Sequence, residues 1–187
     1  MLLAKGTDYF NPDEAARQIL SANPETTQAE ANSAAWNEGR RLLERAIAER
    51  LNFAFETTLG GHTITTLLKS ALLAGLDVRI WFAGLRSAEL HIARVRSRVS
   101  KGGHAIPEAK IRERFDHSRL NVIRLMPDLT ELRVYDNSEE ADPDCGTTPV
   151  PRLLLHMMCG KIVSSCDLST TPEWAKPIMA VAIKSQG

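Results

Sequence analysis

The 187 residues, 43% hydrophobic and 25% charged, suffice for one domain with its own core and are too few for two ordinary ones. Lys+Arg and Asp+Glu are equal at 23 each, so no overall field draws the chain toward nucleic acid or a membrane, and any basic site must be local. Three cysteines without CxxC spacing (Cys145, Cys159, Cys166) give neither a disulfide framework nor a zinc site and fit a reducing cytoplasm. The start, MLLAKGTDYFNPDEAA, is no signal peptide, and no apolar run nears the roughly 20 residues of a membrane helix.

In chain order, residues 7–11 (TDYFN) read as a short strand. Asn11 then caps a helix whose first position is Pro12, and Asn23-Pro24 stops it. The next helix is predicted over about 27–51, with an apolar stripe of Ala31, Ala34, Ala35, Leu42, Leu43, Ala46 and Ile47. Residues 52–56 (NFAFE) have the pattern of a buried strand that delivers Glu56-Thr57-Thr58 to its end, ahead of Gly60-Gly61. An amphipathic helix over 63–74 ends at Gly75, and residues 76–83 (LDVRIWFA) are apolar enough for a central strand. Ser87 caps a helix to about 100, closed by Lys101-Gly102-Gly103. Pro107 opens another to about 126, and 131–135 form a strand ending at Asp136-Asn137-Ser138. Strands alternating with helices imply an α/β fold of parallel βαβ units with helices on both faces. Residues 139–151 read as a mobile loop. Residues 152–157 and 161–165 then flank Cys159-Gly160 as a hairpin, and a last helix runs from Thr171-Pro172-Glu173 to about 184. Residues 1–138 are thus expected to form the core, with the loop, hairpin and helix of 139–187 packed on the same domain.

Ligands of open parallel sheets lie outside the carboxyl ends of the strands. There Asn11 and Asp13, Glu56-Thr57-Thr58, Gly84 and Asp136-Asn137 are expected to converge on one rim. Asp13 can accept a proton from a hydroxyl that attacks a phosphoryl group, or it can simply favour the dipole of its helix. Glu56-Thr57-Thr58 can hold a sugar hydroxyl or a metal's water shell, or make a turn that satisfies its own backbone. His62 reads as a helix-start residue. Around Gly102-Gly103-His104 lie Arg94, Arg96, Arg98, Lys101, Lys110, Arg112, Arg114 and Arg119. Such a run can close over a triphosphate and neutralise the migrating group. It can also be a solvated face partly neutralised by Glu108, Glu113 and Asp116. Single-strand nucleic-acid binding calls for interleaved aromatics, and only Phe115 lies in the run, so nucleic acid is not the expected partner. Asp136-Asn137 can edge a nucleotide base or make a turn. Trp36, Trp81 and Trp174 fall at periodic apolar positions and are expected in the core.

Several of these segments together resemble the zeta toxin family of P-loop kinases. They are Asn11-Pro12-Asp13-Glu14-Ala15-Ala16, Trp36-Asn37-Glu38-Gly39-Arg40, Phe53-Ala54-Phe55-Glu56-Thr57-Thr58-Leu59, the RVSKGGHAIPEAKIRER stretch of 98–114, and Val134-Tyr135-Asp136-Asn137-Ser138. The order and spacing match over about 8–138. The resemblance implies a P-loop NTPase-like parallel sheet, N-terminally incomplete, with a small C-terminal β-hairpin and helix. It implies ATP- and Mg²⁺-dependent transfer of a γ-phosphoryl to a small-molecule hydroxyl, such as that of a UDP-amino sugar, and an antitoxin protein as partner. On that pattern Asp13 is the base, Glu56, Thr57 and Thr58 are substrate-site residues, and Arg98 and Arg112 clamp the phosphate, with Arg114 as the rival second arginine. Asp136 and Asn137 would meet the nucleotide; no metal ligand is singled out. The alternative is a non-catalytic nucleotide- or sugar-nucleotide-binding protein that keeps the fold.

The family opens with a strand and a GxxxxGK[ST] loop whose amides and lysine cradle the phosphates, and this sequence contains no such motif. Residues 1–5 read instead as the end of the helix that follows the loop. A fragment or misplaced start accounts for this better than a degenerate member, because every downstream site residue is present. The 187 residues by themselves should therefore show little ATP turnover. Steady hydrolysis or transfer by this chain, abolished by Asp13→Ala, would sink that expectation.

Overall fold

A computed structural model describes residues 8–140 and 150–187. Cys145, residues 1–5 and most of the predicted loop lie outside them. The fold is α/β, and the described residues belong to two compact units, Met1–Thr58 with His62–Leu76 and Leu59–Gly61 with Asp77–Gly187.

The first unit comprises β1 (Asp8–Phe10), α1 (Pro12–Ala22), α2 (Gln28–Glu49), β2 (Phe53–Phe55) and α3 (His62–Leu73). β1 and β2 pair in parallel, Asp8 opposite Phe53 and Phe10 opposite Phe55. The α1 start follows the sequence closely. The Asn11 side-chain oxygen accepts from the amides of Asp13 (2.9 Å) and Glu14 (3.1 Å), and Pro12 lacks the donor that would otherwise be orphaned. α2 opens with a reciprocal cap. Thr27 Oγ1 accepts from the Glu30 amide, and the Glu30 carboxylate accepts from the Thr27 amide at 2.9 Å. Small side chains let α1 and α2 approach, with Ala16, Ala31 and Ala35 buried between them beside Ile19 and Leu20. Ala34, expected in the stripe, is exposed. Gly39 is where α2 meets β1: a Cβ there would lie 2.6 Å from the Phe10 ring. The Arg50 guanidinium donates to the carbonyls of Ala74 (3.0 Å) and Gly75 (3.2 Å), binding the end of α2 to the end of α3.

The second unit holds β3 (Arg79–Gly84), α4 (Ala88–Val99), α5 (Glu108–Leu125), β4 (Glu131–Asp136), β5 (Arg152–Met158), β6 (Lys161–Ser165) and α6 (Lys176–Lys184). Its sheet runs β3-β4-β5-β6, parallel between β3 and β4 and antiparallel thereafter. The core is built from Leu132, Val134, Leu154, Leu155 and Met157 of the sheet, Val122 and Leu125 of α5, and Ile178, Met179 and Ala182 of α6. Residues 59–61 join this unit because buried Asn121 of α5 donates to the Leu59 carbonyl at 2.8 Å. The predicted hairpin is present, and both turn residues, Cys159 (φ 47) and Gly160 (φ 74), have the positive φ that two-residue hairpin turns require.

Two expectations are corrected. β3, read as a central strand, pairs among the described residues with β4 alone. Trp36 and Trp81, read as core, are 46% and 41% exposed, whereas Trp174 is 3% exposed as expected. Periodicity gives the face on which a residue lies but not whether another element covers that face. Trp174 lies against Gly84, where a Cβ would come within 2.4 Å of two ring atoms, and its Nε1 donates to Asp136 at 3.2 Å.

Glu131 is a buried acid on the strand face opposite Leu132. Its carboxylate accepts from Arg133 Nε at 2.7 Å and pairs with His156 Nε2 at 3.0 Å. Burial pushes its pKa up, but the bonds from Arg133 and His156 outweigh this and hold it below the ordinary carboxylate value of 4.5.

Two predictions follow from this packing. Gly84→Ala should push the Trp174 ring off β3 and lower stability by about 1–3 kcal/mol, as overpacking does, with red-shifted tryptophan emission. Trp174→Phe in the same chain should recover part of the loss, and an unshifted melt in Gly84→Ala would refute the contact. For Glu131, a lowered folded pKa means stability that is present above pH 4.5 and lost as pH falls through the folded value. Glu131→Gln should therefore cost roughly 2 kcal/mol at neutral pH, less than the 3–5 of a fully buried broken pair because Arg133 reaches solvent, and should flatten the acid limb of stability against pH.

Candidate active site

In the first unit the ends of β1 and β2 are joined by one carboxylate. Glu56, directly after β2, accepts from the Tyr9 hydroxyl and from Asn11 Nδ2, the latter at 3.1 Å. The bond to Glu56 raises the Tyr9 pKa above its ordinary value, because the phenol proton is held between two oxygens. Asn11 therefore serves two partners: its oxygen takes the amides that open α1, and its nitrogen holds Glu56. Asp13 leaves the helix one residue after Pro12, exposed, with its own amide on Asn11. Thr57 and Thr58 follow Glu56 and are exposed. The structure thus gathers Asp13 and Glu56 around Asn11. The sequence places Asn11 both as a cap and on the strand-end rim but does not show its bond to Glu56, and it does not single out Tyr9, whose one available signal is its place in the strand just before that cap.

In the second unit the ends of β3 and β4 carry Gly84, Asp136 and Asn137. The Asn137 amide donates to the Gly84 carbonyl at 2.9 Å. Asp136 Oδ1 accepts from both the Ser138 hydroxyl and Trp174 Nε1, while Ser138 Oγ accepts from the Arg86 amide at 2.7 Å. Asp136 is therefore engaged in holding the β3 and β4 ends to Trp174.

The arginine-rich segment consists of α4, a turn and α5. Gly102 has φ +90, which side-chain-bearing residues rarely adopt. Gly103 rests on Arg98 so closely that a Cβ would meet Arg98 Cγ at 2.6 Å and the Arg98 carbonyl oxygen at 2.9 Å. The two glycines thus serve different ends, one turning the chain and one seating Arg98. Ion pairs brace the two helices: Arg96 with Glu108 and Arg112 with Glu89. The Glu89 bond raises the Arg112 pKa, and the Arg112 bond lowers that of Glu89. Glu89 stands in the first turn of α4, nine residues or about 13 Å along the helix from Arg98. Arg112 is thus turned toward the opposite end of α4 from Arg98. Arg114 is half-buried, its stem against Gly60. Lys110 pairs with Glu113 at 3.0 Å. Arg119 packs over Phe115 at 4.1 Å, bonds Asp116 and the Phe115 carbonyl, and reaches the Trp174 carbonyl. It is a structural residue rather than part of an open basic face.

Among the described residues, no group of three or more His, Cys, Asp or Glu side chains is placed to hold a metal ion, and no helix is long and apolar enough to cross a membrane. Mg²⁺ bound with a nucleotide needs only one or two carboxylates beside the phosphates, and the exposed carboxylates at the β1 and β2 ends supply that donor type.

The chain is similar to a protein family, to one curated protein and to one solved chain. The zeta toxin family matches residues 12–142, well over half of the chain. An uncharacterized protein of Haemophilus influenzae is 32% identical over 106 residues, 57% of this chain and 73% of that protein. A solved chain from the PezAT chromosomal toxin-antitoxin system of the human pathogen Streptococcus pneumoniae is similar at 12% identity and TM-score 0.49, covering 97% of this chain and 75% of that one. The matched span runs from the first turn of α1 through both glycines of the arginine-rich turn and past the end of β4, and the chain belongs to the zeta toxin family.

Proposed function

We propose that this protein is a phosphotransferase that moves the γ-phosphoryl of ATP to a hydroxyl of a small-molecule acceptor. The observation that carries the reading is the Asn11 junction, which sets an exposed carboxylate, Asp13, and a hydrogen-bonded one, Glu56, at the carboxyl ends of a parallel strand pair in a zeta toxin family member. ATP, with Mg²⁺ on its phosphates, supplies the group transferred. Asp13 takes the acceptor hydroxyl's proton. Glu56, oriented by Tyr9 and Asn11, holds the acceptor with Thr57 and Thr58, and a UDP-amino sugar is the acceptor class the family suggests. Arg98 and Arg112 clamp the migrating group, which requires Arg112 to exchange Glu89 for phosphate. Arg114 is the rival to Arg112 as the second clamping arginine, and Asp136 and Asn137 edge the nucleotide. Family membership also supports an antitoxin protein as partner and a cytoplasmic place of action. The bonds that already engage Asp136 and Arg112 favour the second reading, a sugar-nucleotide-binding protein without turnover.

The decisive experiment is single-turnover transfer in the full-length gene product, measured beside acceptor affinity. Asp13→Asn keeps the side chain's size, so the rate should fall on the order of 10²–10⁴-fold while affinity stays near wild type. Arg98→Lys and Arg112→Lys should each slow transfer at least tenfold, because lysine keeps the charge and loses the planar fork. Arg96→Lys should leave the rate unchanged. Equal rates in all four proteins would return Asp13 to a helix-start role and the arginines to a charged surface. Acceptor binding with no transfer in wild type selects the second reading.

A further inference from the structure

The Tyr9 hydroxyl is held in a way that fastening the strands does not require. Half of the residue is exposed, yet its hydroxyl donates to one oxygen of Glu56 while Asn11 Nδ2 donates to the other at 3.1 Å. The strand ends are already tied without it, by Asn11 and by the Glu56 amide, which donates to the Phe10 carbonyl at 3.1 Å. What the phenol adds is a different chemical element, an oxygen nucleophile resting on a carboxylate.

Transfer to a hydroxyl needs that pairing, a nucleophilic oxygen and a base within hydrogen-bond reach of its proton. The Glu56 bond first, and the charges of Glu56 and Glu14 after it, keep the phenol protonated. Its proton is therefore given up as the new bond forms, to the carboxylate that already holds it. The same Asn11 that carries Glu56 also receives the Asp13 amide at 2.9 Å, so the phenol belongs to the junction that holds the acceptor-activating carboxylate. An acceptor hydroxyl that binds Glu56 takes the place of the Tyr9 hydroxyl. With no acceptor present, Tyr9 fills that place itself. Being half exposed, the ring can carry a phosphate without displacing core side chains.

We infer that Tyr9 is a self-phosphorylation site, an internal acceptor that takes the γ-phosphoryl of ATP when no small-molecule acceptor occupies the rim. The phenol oxygen bonds the γ-phosphorus, the bond from that phosphorus to the β,γ-bridging oxygen breaks, and ADP leaves. The phenol proton passes to the Glu56 carboxylate. The product carries a charge of about −1.5 to −2 at neutral pH beside two acids, Glu56 and Glu14, so the Tyr9–Glu56 bond gives way to repulsion. An anion then stands where the acceptor hydroxyl would bind, and transfer to the acceptor falls. The inference rests on the phosphotransferase reading and adds to it a modification that restrains the same site.

The test is incubation of the full-length gene product with Mg²⁺ and ATP labelled in its γ-phosphate, without acceptor, followed by peptide mass spectrometry to locate the label. Phosphate on Tyr9 is the expected result, and this mapping on wild type does not depend on how any variant folds. Tyr9→Phe should abolish the label. Glu56→Gln keeps the side chain's size and removes the base, so labelling should slow on the order of 10²–10⁴-fold. Transfer to UDP-N-acetylglucosamine should be at least tenfold slower in the labelled protein and should recover after treatment with a tyrosine phosphatase. Label at another residue, or label that persists in Tyr9→Phe, overturns the inference. An unlabelled protein that still transfers phosphate to UDP-N-acetylglucosamine overturns this inference alone and leaves the phosphotransferase reading standing. A protein that neither labels itself nor transfers to that acceptor removes both.

Discussion

Among the described residues, each parallel strand pair ends on a carboxylate held by side chains from its neighbours, and the rims are organised by those two acids. An ionised carboxylate accepts several donors at once, which suits a place where two strands and a following loop must be fastened together. At β2 the acid is Glu56, and its donors are Tyr9 and Asn11 from β1 and its exit. At β4 it is Asp136, and its donors are Ser138 and Trp174. The settings differ. Glu56 and its donors face solvent, so an incoming hydroxyl can compete for them. Asp136 is partly covered by the indole that fills the space beside Gly84, so its bonds hold the strand ends in place.

The same logic of competing partners applies to the arginine-rich helices. The ion pairs Arg96–Glu108 and Arg112–Glu89 that brace α4 and α5 are exposed, and exposed ion pairs are weak and screened by salt. Glu89 is therefore a replaceable anion for Arg112. A polyphosphate offers several negative oxygens in a geometry that matches the guanidinium fork, while a single glutamate offers two. Arg119 differs because its guanidinium is spread over a ring, an acid and two carbonyls, so it has little to gain by moving. Basic residues that look alike in sequence thus divide into movable and fixed.

Local chemistry was the legible part of the fold. Asn11-Pro12, the Ser87 cap, Gly75 and the Cys159-Gly160 turn each satisfy a requirement set within a few residues, so their signals survive in sequence. Of the candidate site, Asp13 and Glu56 were legible because strand ends carry ligands. Their shared dependence on Asn11 was not, because it joins residues 45 apart. Trp36 and Trp81 were misjudged because a helical or strand period cannot say whether anything packs on the outward half of a large ring. β3 was placed at the centre of a sheet for a related reason: an apolar run reports that a strand wants cover, not which neighbours provide it.

Taken separately, the two units display different ligand chemistry, and the difference bears on what each is built to hold. The β1 and β2 rim presents carboxylates, hydroxyls and the exposed ring of Tyr9. Sugars and bases are bound by such groups, through hydrogen bonds to hydroxyls and contact with flat faces. The α4 and α5 helices present guanidinium groups around a glycine turn and few aromatics, which suits phosphate and offers a sugar little. In α4 and α5 the guanidinium groups of Arg96 and Arg112 are already paired with Glu108 and Glu89, and because those pairs are exposed a stronger anion can replace either glutamate.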